Sequence, residues 1–134
     1  MTFLDTNVLV YAFDASEPAK RARAVALLED EALDIVLSAQ VLNEFYWTVT
    51  RTLTPAVPAA VAQEVVRELA LGRVVPIDAS LVEEAIALSG RHHLSVWEAG
   101  IVVAAQRSGC RELLTEDLTC GQAFGSVTAR DPFA

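Results

Sequence analysis

A chain of 134 residues with a formal net charge of −8 and a pI near 4.6 has no long-range attraction for polyanions, which excludes a generic charge-driven nucleic-acid binder. Hydrophobic residues make up 53% of it and mean hydropathy is +0.37, enough to leave apolar surface for a second copy, so a homodimer is expected. The longest apolar runs, Val8 to Phe13 and Ile101 to Ala105, are too short to span a bilayer, no signal peptide opens the sequence, and Cys110 and Cys120 fit no metal-ligand spacing; a cytoplasmic protein with free thiols and no membrane partner is expected.

The length predicts a single domain over residues 1–134. Thr2 to Asp5 predicts a first strand, followed by a short buried helix over Asn7 to Asp14. Asp5 at that junction suits a helix cap, and equally suits the carboxyl end of a strand, where open α/β sheets hold their ligands. Pro18 opens a helix reaching Glu31, with Ala22, Val25, Ala26 and Leu28 on its apolar side; Lys20, the only lysine, is placed on the polar side, far from any strand end. Leu33 to Leu37 predicts a second strand, and Ser38 caps a helix from Ala39 to about Leu53 whose Phe45, Tyr46 and Trp47 read as core. Glu44 lies inside that apolar helix. After Pro55 and Pro58, Val57, Val61, Val65 and Leu69 recur at every fourth residue of a helix ending near Gly72.

Arg73 to Ile77 predicts a third strand, Ser80 and Glu83 a capping box, and Val82 to His93 a helix with Ala85, Ile86 and Leu88 inward. Asp78, just past the third strand, is assigned to turn or capping chemistry. Ser95 and Glu98 have capping-box spacing before a buried helix, Ala99 to Gln106, that Gly109 ends. Glu112 to Thr115 predicts a fourth strand and Ser126 to Ala129 a fifth, at the edge. Alternating strands and helices predict an α/β fold, a three-layer α/β/α sandwich with a mostly parallel central sheet, and right-handed crossovers then bring the strands' carboxyl ends to one edge.

Asp5 and Asp117 follow strands directly, and Glu44 and Glu98 sit near the starts of helices entering from that edge, so all four can reach one cleft. Carboxylates about 5 Å apart repel by roughly 3 kcal/mol per pair at an effective dielectric near 20, a conflict that a hard divalent cation resolves. An all-oxygen donor set points to Mg²⁺, with Mn²⁺ as the alternative, rather than zinc. Two such cations would also cancel the local charge of −4 that otherwise opposes a phosphate substrate.

Leu4-Asp5-Thr6-Asn7-Val8-Leu9, Asn43-Glu44, Leu94-Ser95-Val96-Trp97-Glu98-Ala99 and Leu113-Leu114-Thr115-Glu116-Asp117-Leu118 together resemble the four acidic motifs of the PIN-domain ribonucleases, and most closely the VapC-type toxins of bacterial toxin–antitoxin pairs. The resemblance runs through nearly the whole chain in order. It implies a Mg²⁺-dependent endoribonuclease that hydrolyses RNA phosphodiester bonds to a 5′-phosphate and a 3′-hydroxyl, forms homodimers, and is neutralised by an antitoxin protein. Asp5, Glu44, Glu98 and Asp117 take the metal-ligand and catalytic positions, and Thr6, Asn7 and Thr115 the supporting polar ones. Glu98 departs from the family's usual Asp, and Arg130-Asp131-Pro132-Phe133 departs from a common Asn-Pro-Phe ending. A capping box explains Glu98 without any metal, and one rotamer does not serve both roles; the metal role is preferred because of the other three carboxylates.

Two other function classes remain. A PIN-fold binding module with weakened catalysis would follow from the longer arm of Glu98. A small-molecule or aspartyl phosphoryl-transfer domain would also gather Asp residues at strand ends, but needs a lysine near the phosphate, and Lys20 is placed away from that edge.

Overall fold

The computed structural model describes all 134 residues, Met1 to Ala134. Strands β1 (Thr2–Leu4), β2 (Ile35–Ser38), β3 (Arg73–Val75), β4 (Glu112–Leu114), β5 (Ala123–Phe124) and β6 (Val127–Arg130) form one sheet in the order β3-β2-β1-β4-β6-β5. All neighbouring strands pair parallel except β5 with β6. The helices are α1 (Thr6–Tyr11), α2 (Pro18–Glu29), α3 (Ala39–Arg51), α4 (Ala59–Leu69), α5 (Ala79–His92) and α6 (Val96–Arg107). The predicted α/β sandwich is therefore the observed one.

From β1 the chain steps outward to β2 and β3, then returns across the sheet to β4 on the other side of β1. Right-handed crossovers in opposite directions place α1 to α4 over one face and α5 and α6 over the other. The packing follows that division: α1 contacts α2 and α3, α3 contacts α4, and α5 pairs with α6. Strand order reverses between β1 and β4, so their carboxyl ends open the crevice in which open α/β sheets hold ligands. Asp5 follows one of these strands and Thr115-Glu116-Asp117 follows the other.

The core is built from strands buried on both faces. Phe3, Leu4, Val36, Leu37 and Leu113 are at most 3% exposed, as a parallel sheet covered on both sides requires. α6 is buried without interruption from Ala99 to Ala105 and packs against β2, β4, β6 and α5. Its small and β-branched side chains allow that close approach.

Several predicted details differ. β6 lies inside the sheet, and the edge is β5, a two-residue strand that the Gly125 turn folds back on it. Tyr46 and Trp47 on α3 are 39% and 58% exposed, because Val41, Phe45 and Val49, with Leu42 half-buried beside them, form its inward stripe. On α5, Leu81, Ala85 and Leu88 face inward and Ile86 faces out; on α4, Ala62 is the buried residue and Val61 is exposed. The buried residues of α2 are Ala24 and Leu27; of the predicted apolar set Leu28 packs half-buried against the core and Val25 is half-buried, whereas Ala22 and Ala26 are exposed, and Lys20, one turn before Ala24, is half-buried. Ser80 and Glu83 form no capping box: Asp78 caps α5 by accepting from the Leu81 N–H at 2.8 Å, and Ser80 Oγ accepts instead from Arg107 at 2.7 Å.

Because Ala104 is fully buried on α6, Ala104→Leu should cost about 1–3 kcal/mol by overpacking, read as a lower urea midpoint at unchanged m-value.

Candidate active site

The site begins where β1 ends. Asp5 N donates to the carbonyl of Leu114 at 3.0 Å, the last rung between β1 and β4, and the chain then turns into α1. Asp5 has extended backbone geometry and is itself the helix cap, its Oδ1 accepting from the Thr6 N–H at 2.7 Å, so neither Thr6 nor Asn7 has to take that role. Its other oxygen accepts from Thr115 Oγ1 at 2.8 Å. Only 8% of the residue is exposed. Burial is the main cause that raises its pKa to about 6; the bonds from Thr115 and Thr6 oppose the rise, and the charges of Asp117 and Glu44 add to it.

Asn7, one residue into α1, ties the two strand ends together. Its Nδ2 donates to Asp117 Oδ2 at 3.0 Å and to Thr115 Oγ1 at 3.3 Å, and lies 3.5 Å from Asp5 Oδ2. The carboxylates fix the amide's orientation, since the reverse flip would set its oxygen against two anions. That orientation leaves Asn7 Oδ1 buried with no hydrogen-bond partner. Thr115 Oγ1 also accepts from the Asp117 N–H at 3.0 Å, closing a ring of Asp5, Asn7, Thr115 and Asp117.

Glu44, half-buried on α3, joins from the side. Its Oε2 accepts from Thr6 Oγ1 at 3.3 Å and its Oε1 from Gln40 Nε2 at 2.6 Å. Gln40 Nε2 also donates to the carbonyl of Trp97, linking Glu44 to the start of α6. A Cβ on Gly100 would sit 2.7 Å from Gln40 Oε1, so glycine there makes room for the link. Gln40 and Gly100 carry no motif in the sequence, and only their contacts reveal them.

Glu98 stands apart. Its Oε1 accepts from the Ser95 N–H at 3.0 Å while Ser95 Oγ accepts from the Glu98 N–H at 3.1 Å, a complete capping box that occupies the side chain. Asp78 is likewise spent on the α5 cap and on Arg107, and both interactions lower its pKa, the Leu81 N–H most. Lys20 corrects the sequence expectation: rather than lying away from the strand ends, its Nζ is 3.0 Å from Glu116, directly beyond β4. No Lys, Arg or His forms an ion pair with Asp5, Glu44, Glu98 or Asp117.

No three His, Cys, Asp or Glu side chains come close enough together to form a metal-binding group. The donor set nevertheless suits a hard cation. Asp5, Asp117 and Glu44 are oxygen donors with no positive partner, and the unpartnered Asn7 Oδ1 is a fourth oxygen beside them. Glu98 could join them only by giving up its capping box.

The PIN domain model matches residues 2–120. The chain is a member of the PIN-domain family. Three solved structures share the fold at low identity. VapC20 of Mycobacterium tuberculosis, a sarcin–ricin-loop-cleaving toxin, is 24% identical, with a TM-score of 0.72 over 87% of this chain and 92% of that one. A toxin–antitoxin complex from Klebsiella pneumoniae is 20% identical, with a TM-score of 0.72 over 98% of both chains. FitAcB of Neisseria gonorrhoeae is 24% identical, with a TM-score of 0.59 over 99% of both. No curated protein matches the sequence. The four acidic motifs of this PIN domain thus fall on a fold it shares with toxins, and three of the four carboxylates lie in one hydrogen-bonded neighbourhood. No helix is long and apolar enough to cross a membrane.

The raised pKa of Asp5 has a definite sign in the metal-free PIN domain. A carboxyl whose folded pKa is about 6 against an ordinary 3.8 adds a penalty that is absent below about pH 4 and complete above about pH 7, worth roughly 3 kcal/mol. Urea titrations without divalent cations should therefore show the stability of Asp5→Asn rising relative to wild type as pH increases across that window.

Proposed function

We propose that this PIN domain is a divalent-metal-dependent endoribonuclease, the toxin of a toxin–antitoxin pair, with Mg²⁺ as the metal and Mn²⁺ able to replace it. The observation that carries the proposal is the uncompensated set of carboxylates at the β1/β4 switch point: a buried Asp5 with a raised pKa, Asp117 and Glu44 beside it, and no cationic side chain on any of them. Toxin–antitoxin structures with the same fold support the toxin assignment and an antitoxin partner. The RNA-cleaving neighbour supports the substrate class.

In this proposal Asp5, Glu44 and Asp117 hold the metal, and Glu98 contributes if it leaves its cap. A bound divalent cation supplies positive charge for the phosphodiester and a more acidic water for its hydrolysis. The chain's own residues prepare the site. Thr115 and the Thr6 N–H orient Asp5, Asn7 orients Asp117, and Thr6 and Gln40 hold Glu44. Glu44 lines a groove together with Trp47, whose ring carries the Arg51 guanidinium at 4.2 Å, and Trp97. Exposed aromatic rings beside a guanidinium suit unpaired bases, which gives an acidic protein local contacts for single-stranded RNA. Val82 and Ile86, 41% and 59% exposed on α5, offer apolar surface for the homodimer.

Asp5→Asn and Asp117→Asn proteins, shown by circular dichroism to be folded, should lose more than about 100-fold of metal-dependent RNA cleavage. Full activity in both would overturn the proposal. The capping box around Glu98 favours a second reading, a PIN-fold binding module with weakened chemistry. Glu98→Asp separates the two: retained or modestly changed cleavage supports the nuclease, whereas RNA binding without cleavage in both proteins supports the binding module.

A further inference from the structure

The two acidic residues that follow Thr115 have different partners, both supplied by α1. Asp117 accepts from Asn7 in the first turn of that helix, and Glu116 accepts from the hydroxyl of Tyr11, which ends it. Asn7 and Tyr11 are four residues apart and so lie on one helix face, one turn from each other. Lys20 completes the second contact. Its Nζ donates to Glu116 Oε2 at 3.0 Å and to the Tyr11 hydroxyl at 3.3 Å, and sits 4.7 Å from the centre of the Tyr11 ring. Phe133, near the end of the chain, packs edge-on against Tyr11 at 4.9 Å, with Lys20 Nζ 5.9 Å from its ring centre. Arg23, on the same helix as Lys20, anchors that terminal segment through the Pro132 carbonyl at 3.2 Å.

We infer that Lys20 and Tyr11 are positioning residues that clamp Glu116 and thereby fix the backbone from which Asp117 reaches the metal site. Three consecutive residues after β4 are then held by three separate contacts: Thr115 on Asp5, Glu116 on Lys20 and Tyr11, and Asp117 on Asn7. Without the middle contact, the Glu116 carboxylate is free to move beside Asp117 and Asp117 loses its fixed starting point. The clamp also keeps the chain's only lysine off Asp5, Glu44 and Asp117, so their negative charge stays available to a cation. The Glu116 bond is the main cause that raises the Lys20 pKa. The inference rests on the divalent-metal reading above, but not on RNA as the substrate.

Mn²⁺ affinity, measured by loss of the free-ion electron paramagnetic resonance signal, tests it for wild type, Lys20→Met, Lys20→Arg and Tyr11→Phe. Lys20→Met should weaken Mn²⁺ binding about 10-fold and Tyr11→Phe about 3-fold, while Lys20→Arg, which keeps the charge and the pairing, stays within about 3-fold of wild type. Any cleavage lost by Lys20→Met should return at saturating metal, whereas general damage to the fold would lower turnover at every metal concentration. Wild-type Mn²⁺ affinity in both Lys20→Met and Tyr11→Phe would overturn the inference, as would absence of Mn²⁺ binding in the wild-type protein. If Lys20→Met does not fold, Tyr11→Phe decides, since it removes one hydroxyl and keeps both the ring stack and the ion pair. Lys20-dependent Mn²⁺ binding in a protein that cleaves no RNA would refute the ribonuclease and uphold the clamp; RNA cleavage with Lys20-independent Mn²⁺ binding would do the reverse.

Discussion

Burying a carboxylate without a cation is the constraint on which this structure turns. Asp5 has to stay at the end of β1, because its backbone N–H completes the ladder to β4 and its side chain caps α1. Leaving water disfavours its charge, and Asp117 and Glu44 disfavour it further. Hydrogen bonds from Thr115 and from the Thr6 N–H compensate only in part. What results is a buried carboxyl whose neutral form is favoured well above the ordinary carboxylate range.

The fold concentrates these carboxylates at one place. Reversal of strand order between β1 and β4 brings Asp5 and Thr115-Glu116-Asp117 to one crevice, although more than a hundred residues separate them in the chain. α1 is only six residues long, yet it presents both the N–H that Asp5 caps and the two side chains, Asn7 and Tyr11, that grip the loop after β4. α3 and α6 enter at the same edge, joined by Gln40, which spans from Glu44 to the Trp97 carbonyl where Gly100 leaves room for it. Each helix start therefore has a structural duty alongside any chemical one. Asp5 divides its oxygens, one capping α1 and the other accepting from Thr115. Glu98 shows the contrary case, a carboxylate occupied by its own helix.

Much of the architecture was legible in the residues. Thr2 to Asp5, Leu33 to Leu37 and Glu112 to Thr115 read as strands because short apolar runs end at polar or capping residues, and the structure places strands there. Ala99 to Gln106 read as a buried helix from its unbroken run of small and branched apolar side chains. Which face of a helix turns inward was less legible where apolar residues surround it. On α3, Tyr46 and Trp47 look like core by type, but Val41, Phe45 and Val49, with Leu42 half-buried beside them, already form the inward stripe and the rings stay outside. On α2 the alanines mark no clear side, so the half-buried Lys20 was assigned to the polar one. In the α5 cap, Asp78 and Ser80 both had suitable side chains; Asp78 occupies the cap position, and Arg107 engages Ser80.

The sequence by itself determined the order of the elements, the PIN family through its four spaced acidic motifs, and the position of Asp5 and Asp117 just past strand ends. These follow from local chemistry: hydrophobic periodicity, capping and turn residues act over a few positions and can be read there. Only the tertiary structure decided that Asn7 bridges Asp117 and Thr115, that Glu98 lies in its own capping box, that Gln40 links α3 to α6, and that Lys20 and Tyr11 hold Glu116. Each of those contacts depends on a side chain's direction in three dimensions. Direction is set by how whole helices rotate to bury their best stripe against the sheet, which no single stretch of the chain contains.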